Sequence, residues 1–146
     1  MSLTHVIDPR GPRFAAGITT VVLAIVLITG WWPLLAAQAV VFGIGAFAGL
    51  RYSPYSVAYR VLVAPRLGPP AEHEDPAPPR FAQGVGFVFA VIGTIGYATG
   101  LVPLGIVATG LALLAAFLNA AFNFCLGCEA YPLVRRLLPR AGGKAA

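Results

Sequence analysis

Residues 13–51 read RFAAGITTVVLAIVLITGWWPLLAAQAVVFGIGAFAGLR. Two apolar runs, Phe14 to about Gly30 and Pro33 to Leu50, lie between Arg13 and Arg51 with no charged residue among them. A bilayer crossing takes about 20 apolar residues. The first run is a little short, but Trp31 and Trp32 extend it into the interfacial zone that tryptophan favours. Gly30-Trp31-Trp32-Pro33 has the composition of a tight turn, and proline suits the first turn of the helix that follows. The stretch therefore predicts a helical hairpin that crosses a membrane and returns to the side of Arg13. Gly43, Ala46 and Gly49 recur at the small-residue spacing that lets membrane helices approach closely.

The same pattern returns further along. Phe81 to about Gly100 and Pro103 to Phe124 are two more apolar runs, joined by Gly100-Leu101-Val102-Pro103. The ten Lys and Arg residues stand at 10, 13, 51, 60, 66, 80, 135, 136, 140 and 144, all on one side of the four runs. The opposite turns, around Trp31 and Leu101, carry no charge. The positive-inside rule then predicts four crossings of the inner (plasma) membrane with both termini cytoplasmic. The chain is 58% hydrophobic and 10% charged, against about 25% charged in soluble domains, so it does not suit water. Its net charge of +5 is spread around apolar segments, which fits anchors at lipid headgroups and not a nucleic-acid stripe. Asp8 and two prolines precede the first run and no small-residue cleavage site follows it, which argues against a signal peptide.

The expected fold is an all-α membrane protein, one domain over residues 1–146. It has four transmembrane helices in two tandem hairpins of the same orientation, with interfacial helices after spans two and four. The first interfacial helix is expected over Ser53 to Leu67, where Tyr52, Tyr55 and Tyr59 border Arg60 and Arg66. Residues 68–79, with Glu72, Glu74, Asp75 and several prolines, read as an extended acidic linker.

An internal duplication underlies the two hairpins. Asp8-Pro9-Arg10-Gly11-Pro12-Arg13-Phe14-Ala15-Ala16-Gly17 aligns with Asp75-Pro76-Ala77-Pro78-Pro79-Arg80-Phe81-Ala82-Gln83-Gly84, with seven of ten positions identical. The copies are expected over about 8–67 and 75–140. Each crosses twice, so the pseudo-axis should run along the membrane normal. The alignment sets Ser53 and Ser56 against Cys125 and Cys128, which should face each other across that axis.

Cys125-Leu126-Gly127-Cys128 is the most pointed chemical feature. Two cysteines at this spacing can form a disulfide or share a metal, and a helix N-terminus beside one of them stabilises a thiolate. Gly127 is expected to break the fourth helix, which would leave Cys125 at a C-terminus and Cys128 at the start of the next helix. Glu129 disfavours a neighbouring thiolate but can accept a proton. Two small apolar residues at a helix end would account for the same pair structurally. A metal centre needs further ligands, and His5 and His73 have no useful spacing, so no metal is expected. Asn119 and Asn123 share a helical face and could line a polar pocket leading to the cysteines, for a quinone head group or a small sulfur species. Ser53 and Arg51 are further candidates beside the pair. No span carries an acidic or basic residue, which argues against a proton-coupled pump.

These residues resemble a known family. The Asp8-Pro9-Arg10 lead-in, Arg51-Tyr52-Ser53-Pro54, Pro65-Arg66-Leu67-Gly68-Pro69-Pro70, Pro79-Arg80-Phe81-Ala82-Gln83, and the ending Leu118-Asn119-Ala120 with Phe124-Cys125-Leu126-Gly127-Cys128-Glu129-Ala130-Tyr131 are similar to a small actinobacterial membrane family catalogued as domain of unknown function 4395. The resemblance covers about residues 6–138, and the cysteine ending is its most specific part. It implies no established activity. It does imply the company of thioredoxin-like and rhodanese-like sulfurtransferase proteins. The expected function is a thiol–disulfide or sulfur-relay oxidoreductase with a cytoplasmic Cys125–Cys128 pair and such a partner. One dithiol on one side cannot carry electrons across a bilayer, so a quinone, a cofactor or a partner must take them. The alternative from another class is a non-enzymatic carrier, permease subunit or scaffold for a small sulfur compound. A homo-oligomer is compatible with either reading.

Overall fold

The computed structural model describes residues 10–68, 77–122 and 124–137. Helix α1 (Arg10–Thr29) buries Ala15, Ala16, Thr19, Leu23 and Val26, a stripe at three- and four-residue spacing. It packs on α6 (Val102–Phe122), whose buried residues are Gly105, Ala108, Thr109 and Ala112. Helix α2 (Trp32–Gly43) buries Leu35, Gln38, Ala39 and Phe42 against α5 (Ala77–Thr99). Helices α5 and α6 lie side by side and α1 also touches α2, so α1, α6, α5 and α2 follow one another around a single core. The α5–α6 approach is close because it runs over glycines. A Cβ on Gly96 would sit 2.6 Å from the backbone nitrogen of Gly105. The outer faces are apolar: Ile28 is 84% exposed and Phe47 72%. A soluble fold would have covered such surface, whereas lipid takes it without cost.

Both predicted turns pivot on a glycine of positive φ. Gly30 and Gly100 take φ values of 67° and 90°, a left-handed region that a Cβ disfavours by about 1 kcal/mol or more. Two residues later α2 and α6 begin, each with proline at its second position, where no N–H is needed.

Helices α1, α5 and α6 are long and apolar enough to cross a membrane. The predicted second span is shorter than expected. It consists of the 12 residues of α2 and a five-residue π-helix, Ile44–Ala48, and stops at Gly49 instead of running to Leu50. At 1.5 Å per residue that run reaches about 25 Å against a hydrocarbon core of about 30 Å. The wide turn has a cause in its neighbours. Gly45 lies against the Gln83 side chain, where a Cβ would come within 2.9 Å of Oε1. The Arg80 guanidinium donates to the Ala46 carbonyl at 2.8 and 3.2 Å and to that of Phe47 at 3.4 Å. Gly43 and Ala46 do face α5, as the small-residue spacing predicted, whereas Gly49 ends the helix at φ 131°.

A helical stretch follows over α3 (Pro54–Ala58), a π-turn at Tyr59–Val63 and α4 (Ala64–Leu67), where an interfacial helix was expected. Tyr55 donates to Oε1 of the buried Gln38 at 2.6 Å, and burial pushes its hydroxyl above the usual tyrosine range, so it remains a donor. The acidic linker was predicted to reach Pro79, but Ala77, Pro78 and Pro79 already form the first turn of α5. Prolines are tolerated there because those N–H groups have no intrahelical acceptor. Residues 69–76 lie outside the described residues.

The two hairpins are tied together by a reciprocal pair of arginines. Arg80 of α5 holds carbonyls at the end of the second run, and Arg13 of α1 donates to the Ala120 carbonyl at the end of α6 at 2.9 Å. Each guanidinium meets carbonyls that have no intrahelical donor, at the negative end of the helix dipole. Arg80→Met should therefore lower stability by about 2 kcal/mol, the range for a hydrogen bond to a charged group. Unfolding in mild detergent is the measurement, and an unchanged midpoint would refute the cross-capping role.

Candidate functional site

The site forms where α6 ends and α7 (Leu126–Leu137) begins. The Phe124 N–H donates back to the Leu118 carbonyl at 3.2 Å, which together with Arg13 closes the end of α6. Cys125 stands immediately before the first residue of α7, and Cys128 lies in its first turn. The expectation that Gly127 breaks the helix is corrected here: Gly127 is inside α7, the break falls before Cys125, and both cysteines belong to the N-terminal end of one helix. The reason is packing. A Cβ on Gly127 would meet Ala82 Cβ at 2.6 Å and Ala82 Cα at 2.7 Å, so glycine serves close approach of α7 to α5.

Cys125 and Cys128 are joined as a disulfide, with a Cα–Cα distance of 5.1 Å. The Cys128 N–H points at Cys125 Sγ, 3.0 Å away, and the Glu129 N–H donates to the Cys125 carbonyl at 3.0 Å. This is the pattern of an N-cap, with sulfur in the place of a hydroxyl oxygen. It points a backbone dipole at the one sulfur best placed to carry negative charge after reduction. Glu129 occupies the first turn of α7, where a carboxylate is also favoured. The opposite hairpin shows the same local form. Ser53 stands immediately before α3, and its carbonyl accepts the Val57 N–H at 3.0 Å. The Phe14 and Tyr59 rings meet at 5.7 Å and 52°, and those of Phe81 and Tyr131 at 5.7 Å and 56°.

The disulfide borders a partly open cavity of about 740 Å³ lined by α1, α2, α5, α6 and α7. Phe42, Phe89, Leu111, Ala112 and Ala116 supply apolar wall, and Arg13, Thr19, Gln83 and Asn119 supply polar groups. Volumes of 300–1,000 Å³ are the usual range for small-molecule sites, so this one can admit a ring-sized ligand.

Of the residues singled out in the sequence, Cys125, Cys128, Glu129 and Asn119 come together on this cavity. Asn123, His5 and His73 lie outside the described residues. Ser53 and Arg51 do not line the cavity. Ser53 is buried at the start of α3, and Arg51 lies over the Tyr52 ring at 5.4 Å while its carbonyl accepts from Arg60 at 2.9 Å. Both follow the first hairpin, and the repeat that sets Ser53 against Cys125 does not bring it to the same pocket. Sequence reasoning missed Arg13, which was read only as a headgroup anchor, and Thr19. The signal available for Arg13 was its recurrence, as Arg80, in the duplicated signature.

A family model described as Domain of unknown function (DUF4395) matches residues 7–136. The chain belongs to that family. No curated protein and no solved structure matches it.

Proposed function

We propose that this member of the family is a membrane-embedded thiol–disulfide oxidoreductase whose working pair is Cys125 and Cys128. The observation that carries the reading is the disulfide at the N-terminal end of α7, bordering a ring-sized cavity. In the exchange step a thiolate of a soluble dithiol partner attacks one sulfur of the pair and forms a mixed disulfide. The partner's second thiolate then resolves it. The partner leaves oxidised, and Cys125 and Cys128 leave as two thiols, having taken two electrons and two protons. A thioredoxin-like or sulfurtransferase protein is the class of partner that offers such thiols. Glu129 is the nearest carboxylate along the chain for holding one of the protons.

The frame proposed for this chemistry is the four-crossing bundle, read as a duplicated hairpin. The matching turns, the paired aromatic contacts and the crossed arginines support the duplication. The short second run can still cross, because Trp31 and Trp32 anchor one end at the interface and Arg51 reaches for headgroups at the other. One-sided charge sets the cysteine end in the cytoplasm, where the glutathione pool keeps most thiols reduced. A pair that cycles is then favoured over a permanent crosslink.

The test is a redox titration of the protein in bilayer discs, with thiols trapped by alkylation at each poise. The pair should convert between disulfide and dithiol as one two-electron step, with a tenfold change in ratio for about 30 mV. A pair that stays reduced, or oxidised, at every poise between the thioredoxin and glutaredoxin ranges would remove the proposal.

A further inference from the structure

We infer that the cavity beside the disulfide is the binding site of a lipid-soluble quinone, which reoxidises Cys125 and Cys128. This deepens the proposed function and rests on it. The exchange step leaves two electrons on the pair, and both thiols are on one side of the proposed membrane frame. Something that accepts two electrons and two protons must reach the sulfurs.

The cavity has the form that such a molecule requires. It runs from the cysteines and Asn119 to Leu111, eight residues along α6, or about 12 Å of helix. Its apolar walls are Phe42, Phe89, Ala112 and Leu111, the last 49% exposed on the outer apolar face, and they suit a hydrocarbon ring and tail. Its polar groups include Asn119 and Gln83, which carry amide donors. Asn119 has no hydrogen-bond partner among the described residues, so its amide is available to a ring carbonyl. Arg13 holds the adjacent Ala120 carbonyl at 2.9 Å and fixes the end of α6 on which Asn119 stands. A soluble polar oxidant would gain nothing from these apolar walls. A quinone uses both ends, with its ring at the sulfurs and its tail toward Leu111. The redox balance closes: two S–H bonds break, one S–S bond forms, and two electrons and two protons pass to the quinone oxygens to give a quinol.

The test uses the full chain in bilayer discs, reduced and freed of reductant, with a short-tailed benzoquinone. Its ring is fully substituted, so no carbon is open to thiol addition. One quinol should appear for each disulfide formed. Asn119→Leu and Ala116→Phe, one removing a donor and one filling the cavity, should each slow quinol formation about tenfold or more, normalised to the dithiol present. Val61→Ala, on an exposed face of the π-turn at Tyr59–Val63, should keep the wild-type rate. A wild-type pair that cycles with soluble dithiols but yields no quinol overturns the quinone site and leaves the proposed function standing. A pair that reacts with neither overturns both. Equal quinol rates in the wild type and both cavity variants would assign the reaction to free thiols in the bilayer, against the site.

Discussion

Cys125→Ser is expected to lose thiol–disulfide exchange with a soluble partner, in either redox form, by about 1,000-fold or more, because the chain can then neither hold the disulfide that a dithiol attacks nor offer the thiolate that attacks a disulfide. Cys128→Ser should behave differently. It keeps the sulfur that receives a backbone N–H, so in the reverse direction its Cys125 thiolate should still attack the disulfide of the oxidised partner, whose other sulfur leaves as a thiol, and stall as a mixed disulfide. The asymmetry rests on geometry. The two cysteines are similarly half-buried, so exposure does not separate them. The Cys128 N–H directed at Cys125 Sγ at 3.0 Å does, since a helix N-terminus favours a thiolate on the sulfur it caps. Non-reducing electrophoresis with the oxidised, disulfide form of the partner present reads the outcome directly. A mixed disulfide accumulating on Cys125→Ser and absent from Cys128→Ser would reverse the assignment and place the attack on Cys128.

Gly127→Ala should destabilise the site by about 3 kcal/mol, the upper part of the range for overpacking. A methyl there would lie 2.6 Å from the Ala82 methyl and 2.7 Å from its Cα. Backbone cannot rotate aside as a side chain can, so α7 must lift from α5. That motion would carry Cys125 and Cys128 off the cavity and separate Tyr131 from Phe81. Unfolding in detergent should show the loss of stability, and quinone-linked oxidation of the pair should fall with it. Ala82→Gly added to Gly127→Ala removes the closer contact and should recover part of the loss, a coupling that a double-mutant cycle isolates. If Gly127→Ala leaves both stability and oxidation unchanged, the glycine has no packing role and the site does not depend on α7 docking.

The cysteine pair was legible in the sequence because its chemistry resides in two residues and their spacing. Asn119 was legible because a polar side chain in an apolar helix stands out. Gly127 was read as a helix breaker because glycine carries two meanings, conformational freedom and closeness. Only the position of Ala82, 45 residues earlier, separates them. The same holds for the second span. Its apolar run continues to Leu50, and nothing local announces that Gln83 and Arg80 on another helix favour a π-turn from Ile44. The alignment between repeats sets Ser53 and Ser56 against the cysteines, and Arg51 is a candidate as a cationic neighbour of the pair. An alignment gives equivalent positions within two copies, not proximity between them.

By itself the sequence determined the helices, their turns and the polarity of their surfaces. Hydrophobic run length, Gly30 and Gly100, Pro33 and Pro103, and the one-sided arginines are all local or compositional signals. Tertiary structure decided which helix lies beside which. It set α1 against α6 and α2 against α5, and so turned two hairpins into a crossed pair. That crossing gives Arg13 and Arg80 their carbonyls, and it shapes the walls of the space that faces the disulfide. The physical reason is that packing of small residues between apolar helices depends on shapes meeting across the bundle, which no single helix contains.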